Sequence, residues 1–187
     1  MTDVARGGRR QEILDAAAEL FAERGFHGVG VDDIGRAVGI SGPGLYRHFP
    51  SKDAVLAEML VAISEELLRE GAARADAAAN PRAALDALVA WQSSFALTHP
   101  ALIVVQDRDL GSVPEPERHR IRQVQRRYVE VWVRVLCAVD PTRGEPEARA
   151  AAHAVFGLLN STPHSATGLP VEEMAPLLRR MAVAALT

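Results

Sequence analysis

Apolar positions recur at helical spacing along almost the whole of this 187-residue chain. Ile13, Leu14, Ala17, Leu20 and Phe21 follow the i, i+3, i+4, i+7 rhythm of a helix with one buried stripe, and Gly25 is placed to end it. Two short segments follow, Asp32 to Val38 and Gly42 to His48, joined at Gly39 and closed by the break Phe49-Pro50-Ser51. From Lys52 a long helix carries Val55, Leu56, Met59, Leu60, Ile63, Leu67 and Leu68 towards Asn80. Asn80-Pro81 reads as a capping residue followed by proline at the first helical position, opening a helix with Leu85, Leu88, Trp91 and Phe95 that stops at His99-Pro100. A short helix from Ala101 to Leu110 is predicted next, then a long one marked by Ile121, Val124, Tyr128, Val131, Trp132, Val135 and Leu136. Two last helices, Glu147 to Leu159 and Val171 to Leu186, flank the polar run Asn160 to Pro170. No strand pattern and no internal repeat stands out, so the expected fold is all-α with about nine helices. A three-helix head over residues 1–51 precedes a larger bundle over residues 52–187.

Composition narrows the picture. Hydrophobic residues make up 48% of the chain and charged residues 24%, the balance of a globular protein with a buried core. The longest apolar run, Met181 to Leu186, is too short to cross a bilayer, so no membrane partner is expected. A net charge of −3 argues against a protein that coats nucleic acid through bulk positive charge. The lone cysteine, Cys137, has no internal partner, and the N-terminal stretch lacks the apolar core of a signal peptide, which makes the cytoplasm the expected compartment.

The most informative stretch runs from Asp33 to Tyr46. A helix-turn-helix needs a small residue where its helices touch, a glycine at the turn and apolar inner faces. Gly35, Gly39, and Ile34, Val38, Ile40 and Leu45 fill these places in turn, and Ser41 is set to cap the second helix. Charge is sorted around the motif: Ile34 to Lys52 holds Arg36, Arg47 and Lys52 and no acid, whereas Gln11 to Asp33 holds six acids and the single base Arg24. The cluster Arg6, Arg9 and Arg10 reads either as an arm reaching a minor groove or as a solvated tail.

Arg10-Gln11-Glu12-Ile13-Leu14, Leu20-Phe21-Ala22-Glu23-Arg24-Gly25-Phe26, Val31-Asp32-Asp33-Ile34, Gly39-Ile40-Ser41 and Leu45-Tyr46-Arg47-His48-Phe49-Pro50-Ser51-Lys52 together resemble the TetR family of bacterial transcriptional regulators, over about residues 9 to 60. The resemblance implies a homodimer with a three-helix DNA-binding head and a larger helical domain for an inducer and dimerisation, most often a repressor bound to double-stranded operator DNA. By position it implies that Tyr46, His48 and Lys52 touch phosphate and that Gly42, Pro43, Gly44 and Arg47 face the bases; Arg36, from the sorted charge, and Ser41, from the cap, join them as DNA-binding candidates. Arg47 is the main candidate for direct readout. One departure is Gly30, where the family usually places Ser or Thr; this removes a hydroxyl cap and phosphate ligand.

The larger domain says less. Trp91, Phe95, Tyr128 and Trp132 gather both tryptophans and one of the two tyrosines on two helices, which suits either core packing or an apolar pocket. Gln106, Arg108, Asn160 and His164 are candidate polar groups for such a pocket. The segment Ala101-Leu102-Ile103-Val104-Val105-Gln106-Asp107-Arg108-Asp109 is similar to TetR-type regulators of lipid and acyl-CoA metabolism, so an acyl thioester and a hydrophobic xenobiotic both fit as inducer. Arg118, Arg120, Arg122, Arg126 and Arg127 are suited to an anionic coenzyme A moiety, although such a run is usually a solvated helix face. The histidines are scattered, with no metal-ligand spacing, no nucleophile elbow, no P-loop and no dinucleotide fingerprint, so neither catalysis nor a cofactor is expected. Two other readings stay open: a helical small-molecule-sequestering protein without DNA binding, and a helical-bundle enzyme.

Overall fold

The computed structural model describes residues 2–165 and 168–187, with side chains from Gly8 onward. Among the described residues there is no strand. The helices are α1 (Thr2–Arg24), α2 (Val31–Ala37), α3 (Gly42–Leu45), α4 (Lys52–Asp76), α5 (Pro81–Thr98), α6 (Pro100–Asp109), α7 (Glu115–Val139), α8 (Glu145–Leu159), α9 (Thr162–Ser165) and α10 (Val171–Leu186), with a 3-10 turn at Leu110–Ser112 after α6. All nine expected helices are present. The tenth, α9, is a single turn inside the run Asn160 to Pro170.

The chain forms two compact units. The first comprises Met1–Ile63 and Ala101–Ile121. Its core gathers Ile13, Ala17 and Phe21 of α1, Ile34 of α2, Leu45 of α3, Val55, Leu56 and Leu60 of α4, and Val105 of α6, with Phe26, Val29 and Phe49 from the connections. Gly25 ends α1 at φ 78°, a conformation that glycine adopts without steric cost. The basic cluster at the N-terminus is neither an arm nor a free tail where it is described. Arg9 donates to the Val38 carbonyl at 3.1 Å and pairs with Glu12 at 2.7 Å. Arg10 lies 4.2 Å above the Phe49 ring, donates to Glu58 and reaches the His48 carbonyl. Burial of Ile13 and Leu14 at the start of the stripe draws this turn of α1 onto the unit. The Arg6 side chain lies outside the described residues.

The second unit comprises Ser64–Pro100 and Arg122–Thr187. Asn80 caps α5 by accepting from the Ala83 N–H at 2.9 Å, with Pro81 behind it, as the sequence predicts. Within the unit α10 packs on α5 and α8, and Trp132, Leu85, Leu88 and Leu136 are fully buried. No single helix is long and apolar enough to cross a membrane, and no metal-binding cluster occurs among the described residues.

Candidate nucleic-acid interface and effector pocket

The helix-turn-helix is built on two glycines with different tasks. At Gly35 an added Cβ would stand 2.8 Å from the Ile40 carbonyl oxygen, so only glycine lets α2 and the following turn meet. At Gly39 the backbone takes φ 71° to reverse the chain. Gly30 caps α2 through its backbone alone: its N–H donates to Asp33 at 2.9 Å. That bond, then the Arg36 guanidinium 3.1 Å away, holds the Asp33 carboxyl below the usual range.

Ser41 accepts from the Gly44 N–H at 3.2 Å and caps α3, which is one turn long rather than the two predicted. The chain continues through single turns, with His48 N–H on the Leu45 carbonyl at 2.8 Å. Ile40, Ser41, Pro43, Gly44, Arg47 and His48 line a groove of about 360 Å³. Tyr46 stands beside them at 55% exposure, a high value for so large a ring. Arg47 is exposed, as is Arg36 one helix earlier.

Two expected contacts are placed differently. Gly42, assigned to the bases, is buried, and its missing side chain points at the Asp32 carboxylate of α2. Lys52, assigned to phosphate, donates to the Phe26 and Val29 carbonyls at 2.7 and 2.8 Å and lies 4.2 Å from the centre of the Phe26 ring. Two of its three protons thus tie down the loop between α1 and α2.

The effector candidates divide between the units. Gln106 and Arg108 belong to the first, where Arg108 donates to the Phe21 and Ala22 carbonyls at the end of α1 and pairs with the buried Asp109. Its cation faces the carbonyl end of a helix, a favourable place for positive charge. It therefore caps a helix where a ligand contact was expected.

In the second unit Tyr128, Trp132 and Phe156 form an aromatic cluster, with Trp132 and Phe156 ring centres 5.1 Å apart. Tyr128 donates to Gln92 at 3.2 Å, and Gln92 donates to Asn160 at 3.0 Å. Burial pushes the Tyr128 phenol well above its ordinary range. The indole N–H of Trp132 is set against the Tyr128 hydroxyl, whereas that of Trp91 is buried without an acceptor. The Trp91 ring carries the Arg74 guanidinium 4.3 Å from its centre. Phe95 stacks on His99 at 5.2 Å instead of joining the cluster, and His164 is exposed on α9. Gln92 and Phe156 were not expected. Phe156 had the helical spacing to be found; nothing local marks Gln92.

A family model described as bacterial regulatory proteins, tetR family, matches residues 13–59. A second, described as tetracyclin repressor-like C-terminal domain, matches residues 78–185. The HTH-type transcriptional repressor KstR2 of Rhodococcus jostii is 33% identical over 132 residues, covering 70% of this chain and 65% of that protein. The chain thus spans just under two thirds of the length of the curated relatives it matches first. The structure of the ketosteroid transcriptional regulator KstR2 of Mycobacterium tuberculosis shares the fold with a TM-score of 0.82 at 23% identity, over 95% of this chain and 93% of that one. So does AibR, solved in complex with isovaleryl coenzyme A and operator DNA, with a TM-score of 0.76 at 20% identity over 92% and 97% of the two chains. With its recognition motif at one end and more than half of its length matched by the C-terminal model, the chain belongs to the tetR family of bacterial regulatory proteins.

Proposed function

We propose that the chain is a ligand-released transcriptional repressor that binds palindromic double-stranded operator DNA as a homodimer, with residues 1–51 as reading head and residues 52–187 as effector and dimerisation domain. The observation that carries this reading is the groove along α3, where Pro43, Gly44, Arg47 and His48 come together on a stretch without a carboxylate. Arg47 is the one long cation there, suited to a guanine edge, while the exposed Tyr46 and the groove-lining His48 are suited to phosphate. The dimer sets two such heads about 34–36 Å apart, one turn of DNA. An inducer releases the operator only if it binds the DNA-incompetent conformation more tightly.

For the inducer, the polar chain Tyr128–Gln92–Asn160 beside an aromatic cluster supports a mostly apolar molecule with a few polar groups. The acyl thioester bound by the AibR fold relative favours that class over a xenobiotic. The test is selection of genomic DNA on the immobilised protein, repeated with acyl-CoA thioesters. Retention of one palindromic site, its release by a thioester, and relaxed sequence preference in Arg47→Ala are expected. Failure to retain any fragment overturns the reading in favour of a sequestering protein.

A further inference from the structure

The arginine-rich start of α7 is not one solvated face. Arg118 donates to the Gly111 carbonyl at 2.9 Å and pairs with Glu115, and Arg120 is engaged as well. Arg122 and Arg126, one helical turn apart, instead line a groove of about 380 Å³ with Gln125 and Val129 between them. Across the groove α8 contributes Arg149 and His153, also one turn apart. Two helices thus bring three guanidinium groups to the same space against one carboxylate, Glu130, an arrangement that is repulsive unless something more negative lies between them. Glu130 answers only part of it, accepting from Arg149 at 2.7 and 2.8 Å. Neither Arg122 nor Arg126 has an ion-pair partner among the described residues. The amide nitrogen of Gln125 is buried without an acceptor, so an uncharged donor also waits at the groove.

We propose that this groove is an anion site that takes a phosphate group of a small effector. It rests on the reading of the second unit as the effector domain. Guanidinium forks match phosphate oxygens in pairs, and a neutral donor beneath them adds a bond that a chloride or a lone carboxylate uses less well. Two sources present this chemistry: the nucleotide end of a coenzyme A thioester, and free phosphate.

Calorimetry on the full chain separates them, with coenzyme A, its phosphate-free fragment pantetheine, and inorganic phosphate as probes. Coenzyme A is expected to bind at least tenfold more tightly than pantetheine. Arg122→Ala/Arg126→Ala should remove that difference while leaving the melting curve and pantetheine binding unchanged, and Gln125→Glu should weaken coenzyme A in the same way. Arg127→Ala deletes the same charge one residue outside the groove and should change nothing. Inorganic phosphate binding as tightly as coenzyme A, and lost in the double variant, supports the site with free phosphate as its source. The proposal is overturned if no probe binds, if the double variant binds coenzyme A like the parent, if Arg127→Ala is equally damaging, or if the double variant shifts only the monomer–dimer equilibrium. A chain that binds coenzyme A in this way but retains no DNA would overturn the repressor reading and leave the anion site standing.

Discussion

At the scale of single residues, Gly35 and Gly42 lie seven positions apart in one motif and respond to different constraints. A Cβ on Gly35 would press on backbone, the Ile40 carbonyl at 2.8 Å, which cannot swing aside. Gly35→Ala is expected to cost about 1–3 kcal/mol, the usual range for overpacking, and to lower operator affinity by misplacing α3. A Cβ on Gly42 would meet the end of the exposed Asp32 side chain, which has solvent to swing into. Gly42→Ala should therefore change stability by less than about 1 kcal/mol, read from urea midpoints of the two variants side by side. Equal losses would refute this account of the motif. Lys52 is a second case. Because its ammonium holds the Phe26 and Val29 carbonyls, Lys52→Met should lower stability by about 1.5–3 kcal/mol, the range for hydrogen bonds to a charged group. Tyr46→Phe and His48→Ala should leave melting unchanged and weaken all DNA sequences alike. An operator titration over a range of salt, with each variant's melting temperature, tells a lost phosphate contact from a loosened loop.

At the scale of elements, Tyr128 joins α7, α4, α5 and α8. Its ring lies over Gly71 of α4, where a Cβ would be 2.5 Å from the ring edge. Its hydroxyl reaches α5 through Gln92, which in turn reaches the end of α8 through Asn160. Burial raises the phenol above its ordinary value of 10.0, so the folded state holds that proton more tightly than the unfolded one. The resulting stability is complete below about pH 10 and is lost as pH rises beyond it. In a Tyr46→Phe background, where Tyr128 is the sole tyrosine, phenolate absorbance should appear only with unfolding, and Tyr128→Phe should remove that part of the alkaline loss. Phenolate forming while the fold stays intact would count against it. The same helices show what periodicity reveals. The nine predicted elements were legible because each carries its own apolar stripe or cap, as with Asn80-Pro81 at α5. The α9 turn is held by local bonds from the His164 and Ser165 N–H groups to the Ser161 carbonyl and by a distant one, Thr162 to the Ala96 carbonyl at 2.6 Å; it is too short to carry an apolar stripe. The turn glycines of the reading head were equally legible, since backbone conformation is a local demand. The roles of Lys52, Arg108 and Gln92 were not, because each depends on a partner far along the chain: the Arg108 cap lies 87 residues from Phe21 and the Gln92 bond spans 68 residues.

At the scale of the whole molecule, a net charge of −3 is compatible with the proposed DNA-reading head because charge is sorted along the chain. The head's affinity must then come from few contacts, and pairing of two heads multiplies it, since the second binds at the high effective concentration set by the first. In the proposed homodimer, dimerisation is therefore the step on which operator binding depends. The faces best suited to it lie on α8 and α10, which pack together. On α8 Ala150, Ala154 and Gly157 are exposed, small enough to let another helix approach closely, and on α10 Met181 is 47% exposed beside Ala184 and Ala185. An exposed methionine adapts to a facing surface and loses little by leaving water. Met181→Glu, placed on a surface that a monomer leaves wet, should leave the melting of the isolated chain within about 0.5 kcal/mol. In the dimer it would bury two carboxylates, so the same variant should run as a monomer in light scattering at micromolar concentration. Its affinity for a full palindrome should fall at least a hundredfold while affinity for a half-site is kept. A dimer that persists in Met181→Glu, with full operator affinity, would place the interface elsewhere.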